Sequence, residues 1–287
     1  MRFRHLIAIC LLCLLSACSS KLAYNNLDWL SYWYVSDYID LTGKQSSAVK
    51  DKLRSILKWH RTTHVPQYKD QLKTLKQDIE SDRVTRESAT MVMKFIRNSW
   101  TELRAKFVSG AIDLIPTLTL VQAEELFDNL AAKHEDDLEE IPDSPEKRFE
   151  RRFEKLEELT EDYLGSITDQ QKLILELYLG SSFDTRKAFL EGNGRMQQDL
   201  KADVVSFVKQ PSQELLEIIS SKLNNPEQYR SDEFKFNVAE NRKLLSVMLA
   251  DLAATLTPDQ KVFLVNKIQN WIQLTDGLTH DEKEPAS

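Results

Sequence analysis

Four times along this chain a threonine follows a leucine or isoleucine and precedes a glutamine by three residues. The copies are Leu41-Thr42-Gly43-Lys44-Gln45, Leu118-Thr119-Leu120-Val121-Gln122, Ile167-Thr168-Asp169-Gln170-Gln171 and Leu256-Thr257-Pro258-Asp259-Gln260. A threonine hydroxyl at an N-cap accepts from the amide three residues on. A glutamine at that third position reaches back to the threonine's own amide. Each copy therefore reads as a capping box that opens a helix, worth ~1 kcal/mol apiece. The next positions, Ser46, Ala123, Lys172 and Lys261, lack the large apolar side chain of a hydrophobic staple. Spacings of 77, 49 and 89 residues between copies are too uneven for a solenoid.

The stretches between these starts are helical in pattern. Apolar residues recur at i, i+3, i+4 and i+7. Examples are Val49, Leu53, Ile56, Leu57 and His60; Tyr68, Leu72, Leu75 and Ile79; Ile96, Trp100, Leu103 and Phe107; and Leu264, Ile268, Trp271 and Ile272. No run alternates strictly enough for a strand. Glycine is scarce, 7 in 287 residues, where an average chain holds about 7%; this disfavours glycine-loop nucleotide folds. Gly165 and Gly180 read as C-caps and Gly192-Asn193-Gly194 as a turn. Pro116, Pro142, Pro211 and Pro226 mark boundaries, and Pro145 and Pro258 suit first turns. The fold expected is all-α, an irregular antiparallel multi-helix bundle of about eight to ten helices.

The N-terminus reads as an address. Arg2 and Arg4 precede a ten-residue apolar run, Leu6 to Leu15. That run would span ~15 Å as a helix, half a bilayer core, which suits a signal peptide and not a membrane span. Leu15-Ser16-Ala17-Cys18 follows and resembles a bacterial lipobox. The resemblance implies cleavage between Ala17 and Cys18 and a covalent N-acyl diacylglyceryl lipid on Cys18. Such an anchor carries more than the two membrane signals that stable attachment needs. Gram-negative lipoproteins with aspartate after the cysteine stay in the inner membrane, so Ser19 implies the outer membrane. Cys10 and Cys13 leave with the signal peptide, and no disulfide or cysteine-metal site survives. Cleavage leaves 36 Lys/Arg against 45 Asp/Glu, a charge of −9, which disfavours a nucleic-acid partner.

Six of the 25 aromatic residues fall between Tyr24 and Tyr38: Tyr24, Trp29, Tyr32, Trp33, Tyr34 and Tyr38. They serve either as a core segment or as an anchor in the membrane interface. Tyr24-Asn25-Asn26-Leu27-Asp28-Trp29-Leu30-Ser31-Tyr32-Trp33, then Asp37 to Gln45, then Trp59-His60-Arg61, resemble an uncharacterised family of Gram-negative lipoproteins classed only as a domain of unknown function. The resemblance is specific over residues 15–70 and implies a class without a mechanism. The four Thr-x-x-Gln copies, in turn, resemble those of the Spy/CpxP-type periplasmic chaperones and stress regulators. Independent capping boxes in a helical protein account for them more simply.

Charge is uneven. Lys44 to Lys106 holds 15 basic and 7 acidic residues, and Glu124 to Asp162 holds 6 and 16. Two helical hairpins whose faces attract within the fold would explain this, as would merely solvated surfaces. So would a basic segment against anionic headgroups, with an acidic hairpin facing a partner.

Signals for chemistry are thin. His60 and His64 share a helical face, but Arg61 stands where a zinc protease needs glutamate. Tyr38 stands where a phosphate loop ending in Gly43-Lys44 needs its first glycine. No catalytic residue, metal or further cofactor is expected. The organisation expected is a signal peptide over 1–17, a helical periplasmic domain over 18–275 with an aromatic-rich first segment at 22–40, and a disordered tail over 276–287. The function expected is a non-enzymatic envelope interaction or structural module, held to the membrane by its lipid and meeting an envelope protein partner. The alternative is a Spy/CpxP-like chaperone or stress module. The oligomeric state is left open.

Overall fold

The computed structural model describes residues 17–280, with side chains from Ser20 to Thr279. Among the described residues there are eleven α-helices, two short 3-10 turns and no strand. The helices are α1 (Ala17–Asn25), α2 (Leu27–Ser36), α3 (Gly43–Glu80), α4 (Arg86–Leu114), α5 (Leu120–Glu139), α6 (Pro145–Leu164), α7 (Asp169–Ser181), α8 (Arg186–Lys209), α9 (Gln213–Asn224), α10 (Asp232–Ala254) and α11 (Pro258–His280). The 3-10 turns Ile115–Thr117 and Pro226–Tyr229 contain Pro116 and Pro226. The all-α expectation holds, and the aromatic segment forms two short helices.

All four capping boxes form, at α3, α5, α7 and α11. A fifth, Thr85 with Ser88, opens α4; a serine at the third position lay outside the glutamine pattern. Gly165, at φ 80°, ends α6 in the left-handed conformation that glycine tolerates best. α3 runs for 38 residues through Pro66, a length of ~57 Å, and forms the spine of the molecule.

Antiparallel pairs build on that spine. Lys261 meets Asp82, Lys76 meets Gln269 and Lys69 pairs with Asp276, so α11 runs back along α3. Lys52 bonds Asp113 while Tyr68 meets Phe95 edge to face, which sets α4 antiparallel to α3. Burial is divided among separate clusters. Ile79, Ile268 and Ile272 join α3 to α11. Leu175, Met248 and Leu252 join α7 to α10. Ala123, Phe127, Leu200, Val204, Phe207 and Ile219 join α5, α8 and α9.

Three expectations are corrected. Gly192-Asn193-Gly194 is not a turn but the interior of α8. A Cβ on Gly192 would overlap the Arg230 guanidinium, and one on Gly194 would overlap the His134 ring. These glycines admit large neighbours and do not bend the chain. Gly180 lies within the last turn of α7, and the cap is Ser182. The chain stays helical to His280, with Thr275 and Leu278 buried, so the expected tail starts too early at 276. Residues 281–287 lie outside the described residues. So do residues 1–16, on which all but the last position of the expected signal peptide falls.

Candidate functional site

The four cap glutamines meet in two pairs. Gln45 Nε2 donates to Gln122 Oε1 at 3.1 Å, and Gln122 Nε2 donates back to Gln45 Oε1 at 2.8 Å. Gln171 and Gln260 repeat the exchange at 2.8 and 2.9 Å. Each Oε1 also accepts from its own cap threonine's amide: Thr42, Thr119, Thr168 or Thr257. Each Nε2 also donates to a backbone carbonyl beside the partner cap: Thr117, Asp40, Thr255 or Ser166. All four side chains are buried, and each amide has a partner at both ends. They act as clasps that join pairs of helix starts.

A second network gathers at His60 and His64, which α3 presents one turn apart. Tyr24 Oη lies 2.8 Å from His60 Nδ1. His60 Nε2 lies 3.2 Å from Tyr68 Oη, which lies 3.2 Å from His64 Nδ1. His64 Nε2 lies 3.2 Å from Glu102 Oε2. The Glu102 carboxylate only accepts, so the neutral His64 ring carries its proton on Nε2 and accepts from Tyr68 at Nδ1. Tyr68 then accepts from His60 Nε2–H, and His60 Nδ1 accepts from Tyr24. The row is directed, with every donor pointing toward Glu102. It ties α1 to α3 and α3 to α4. Burial, with His64 beside it, lowers the His60 pKa to about 4. Burial raises the Tyr68 hydroxyl. The ring nitrogens of both histidines are occupied by this row. Among the described residues no three His, Cys, Asp or Glu side chains converge as a metal site would require.

The aromatic segment divides by chemistry. The tyrosines turn inward: Tyr24 onto His60, Tyr32 Oη onto Ser46 Oγ at 2.9 Å, and Tyr34 Oη onto Tyr38 Oη at 3.0 Å. Arg61 caps the Tyr24 ring, and its guanidinium donates to Asn25. Trp29 and Trp33 face outward, 61% and 40% exposed, and Leu22 is 67% exposed. Ala17 and Cys18 open α1, so the expected cleavage and lipidation point abuts the fold with no linker.

Tyr34 and Tyr38 also line a half-open cleft of about 120 Å³ with Lys133, His134, Asp137 and Asn193. Lys133 pairs with Asp137. Burial and the Tyr38 bond push the Tyr34 hydroxyl well up. Small-molecule sites run to ~300–1,000 Å³, so this cleft suits water or an ion more than a substrate.

On α4 the periodic residues Ile96, Trp100 and Phe107 are 59%, 58% and 41% exposed, with Leu103 half-buried between them. The period is helical, but among the described residues no element covers it. Side chains of both charge blocks turn to other parts of the chain. Lys52 turns to Asp113 and Lys69 to Asp276. On the acidic side, Asp128 turns to Lys201 and Glu157 to Lys172.

Residues 37–235 match the family of unknown function DUF6279. The chain belongs to that family. Three of the four capping boxes and both site histidines fall within the DUF6279 match. Tyr24 to Trp33, on which the resemblance to a lipoprotein family leaned, precedes the match. No curated protein and no solved structure is significantly similar to the chain. DUF6279 membership carries a family without an activity.

Proposed function

We propose that this protein is an outer-membrane lipoprotein, held through an acylated Cys18, whose helical domain faces the periplasm and works by holding an envelope partner. One observation carries the reading. Arg2 and Arg4, the apolar run Leu6 to Leu15, and Leu15-Ser16-Ala17-Cys18, whose last two residues open α1, stand in lipoprotein order. The interior of the domain supports binding over catalysis. Its four buried glutamines are spent on clasps between helices, and the Tyr34/Tyr38 cleft is small. Cys18→Ser tests the anchor: the variant should accumulate uncleaved, and its N-terminal peptide should lack acyl mass. Normal cleavage of that variant, with the protein in the soluble fraction, would overturn the reading.

The exposed α4 stripe favours a second reading, a chaperone-like module resembling the Spy/CpxP proteins. Lys94, Arg97 and Lys106 flank the stripe and are exposed. Such a surface would hold apolar segments of an unfolded client. A W100S/F107S variant should then slow client aggregation less than the parent chain does, and equal protection by both would remove this reading.

A further inference from the structure

We infer that α1 and α2 lie flat on the membrane surface, with Leu22, Trp29 and Trp33 seated in the headgroup interface of a phospholipid bilayer. This rests on the lipid-anchor reading and specifies how the anchored domain is oriented. Leu22, Trp29 and Trp33 stand at i, i+7 and i+11, which falls within about 20° of one line on a helix. The turn between the helices barely interrupts that line. Asn26 donates to the Ala23 carbonyl at 3.2 Å, and its own carbonyl accepts from Leu30 at 3.0 Å. All three side chains are exposed. Away from that line the segment is engaged with the fold, by Tyr24 on His60, Tyr32 on Ser46 and Asp28 near Arg54.

The choice of occupant follows from chemistry and position. Tryptophan and leucine on one face of a surface helix are the residues that settle at the boundary between headgroups and acyl chains. Cys18 lies one helical turn before Leu22. An acyl chain there holds the face within reach of the bilayer at all times. Were α1 and α2 to stand upright, Trp33 would ride ~22 Å above Cys18 and out of the interface; lying flat brings both tryptophans down. Packing α1 on α11 and α2 on α3 then carries the orientation into the spine of the domain.

The test is tryptophan quenching in the full-length lipidated protein. It is reconstituted into phosphatidylethanolamine/phosphatidylglycerol vesicles whose acyl chains are brominated near the headgroups. Quenching relative to unbrominated vesicles is expected in the parent chain and in Trp100→Phe, and its loss is expected in W29F/W33F. Undiminished quenching in W29F/W33F, or none in the parent chain, overturns the inference. So does a blue shift of emission that follows protein concentration without lipid, which would put a second copy on this face. The N-terminal peptide mass separates the two readings. Acylated Cys18 without quenching sinks the flat orientation and leaves the anchor standing. Quenching by added vesicles with unacylated Cys18 does the reverse.

Discussion

Gln45 and Gln122, 77 residues apart, exchange two side-chain amide hydrogen bonds of 3.1 and 2.8 Å while each completes the capping box of its own helix. A local motif thereby becomes a long-range one. The same atoms that stop α3 from fraying hold its start against that of α5. Because Gln171 and Gln260 do likewise, the uneven spacing of the four copies resolves into two pairs, each closing a loop of chain.

Removing either amide of a pair leaves the other, buried amide without its partner. Gln45→Ala takes from the buried Gln122 amide both hydrogen bonds that Gln45 supplied, together with the part-buried bonds to the Thr42 amide and the Thr117 carbonyl. An orphaned buried polar group costs about 1–3 kcal/mol. In a double-mutant cycle read by urea unfolding, Gln45→Ala and Gln122→Ala should couple by about 0.5–3 kcal/mol. Gln45→Ala and Gln171→Ala, which share no partner, should add to within about 0.5 kcal/mol. Equal coupling in the two cycles would refute the clasp.

The directed row from Tyr24 to Glu102 predicts that the neutral rings of His60 and His64 are both Nε2–H tautomers. Long-range ¹⁵N–¹H spectra of the two imidazoles check this, and an Nδ1–H signal from either ring contradicts it. Glu102→Ala removes the carboxylate that sets the direction and should let His64 sample both tautomers.

His60 also sets an acid limb. Its folded pKa of about 4 lies below the ordinary 6.5, so between those values the unfolded chain binds a proton that the folded chain refuses. Stability should be whole above pH 6.5, fall as pH drops toward 4, and lose no more on this account below that. A shift of that size amounts to about 3 kcal/mol. His60→Gln should flatten the decline of the urea midpoint over this window, and an unchanged slope would assign it to other groups.

What could be read beforehand follows the range of the interaction. Capping boxes are complete within four residues, so all four were legible. The pairing of the glutamines depends on partners 77 and 89 residues away and left no local mark. Asn193 between two glycines reads as a turn because its reason for glycine, the Arg230 and His134 side chains, comes from α5 and the loop before α10. Tyrosine and tryptophan score alike in an apolar pattern. The pattern therefore showed an aromatic segment without showing that hydroxyls would turn Tyr24 and Tyr32 inward while Trp29 and Trp33 stayed out.

Gly192→Ala gives the packing argument a sign. In an exposed helix interior, alanine for glycine gains up to ~1 kcal/mol. Gly180→Ala should behave so, since nothing lies within 4 Å of its added Cβ. At Gly192 the Arg230 guanidinium fills that space while donating to the Phe189 carbonyl and to Asn193 Oδ1, both at 2.6 Å. Displacing it should cost about 1–3 kcal/mol. Stabilisation by both alanines in thermal unfolding would mean that Arg230 yields freely.

Helical periodicity tells which residues share a face, not whether that face is covered, and α4 against α11 puts a number on the difference. Trp100 and Ile268 occupy equivalent places in their apolar repeats, yet Ile268 is fully buried while Trp100 is 58% exposed. Ile268→Ala removes atoms from a packed cluster shared with Ile79 and Ile272 and should cost about 2–5 kcal/mol. Trp100→Ala removes a larger side chain from water and should change stability by no more than about 0.5 kcal/mol. Unfolding followed at two protein concentrations checks this. If Trp100→Ala proved costly, and more so at the higher concentration, a second copy of the chain would be covering the α4 stripe. If it is neutral at both, the stripe stands open in the isolated protein, as client or partner binding on α4 requires.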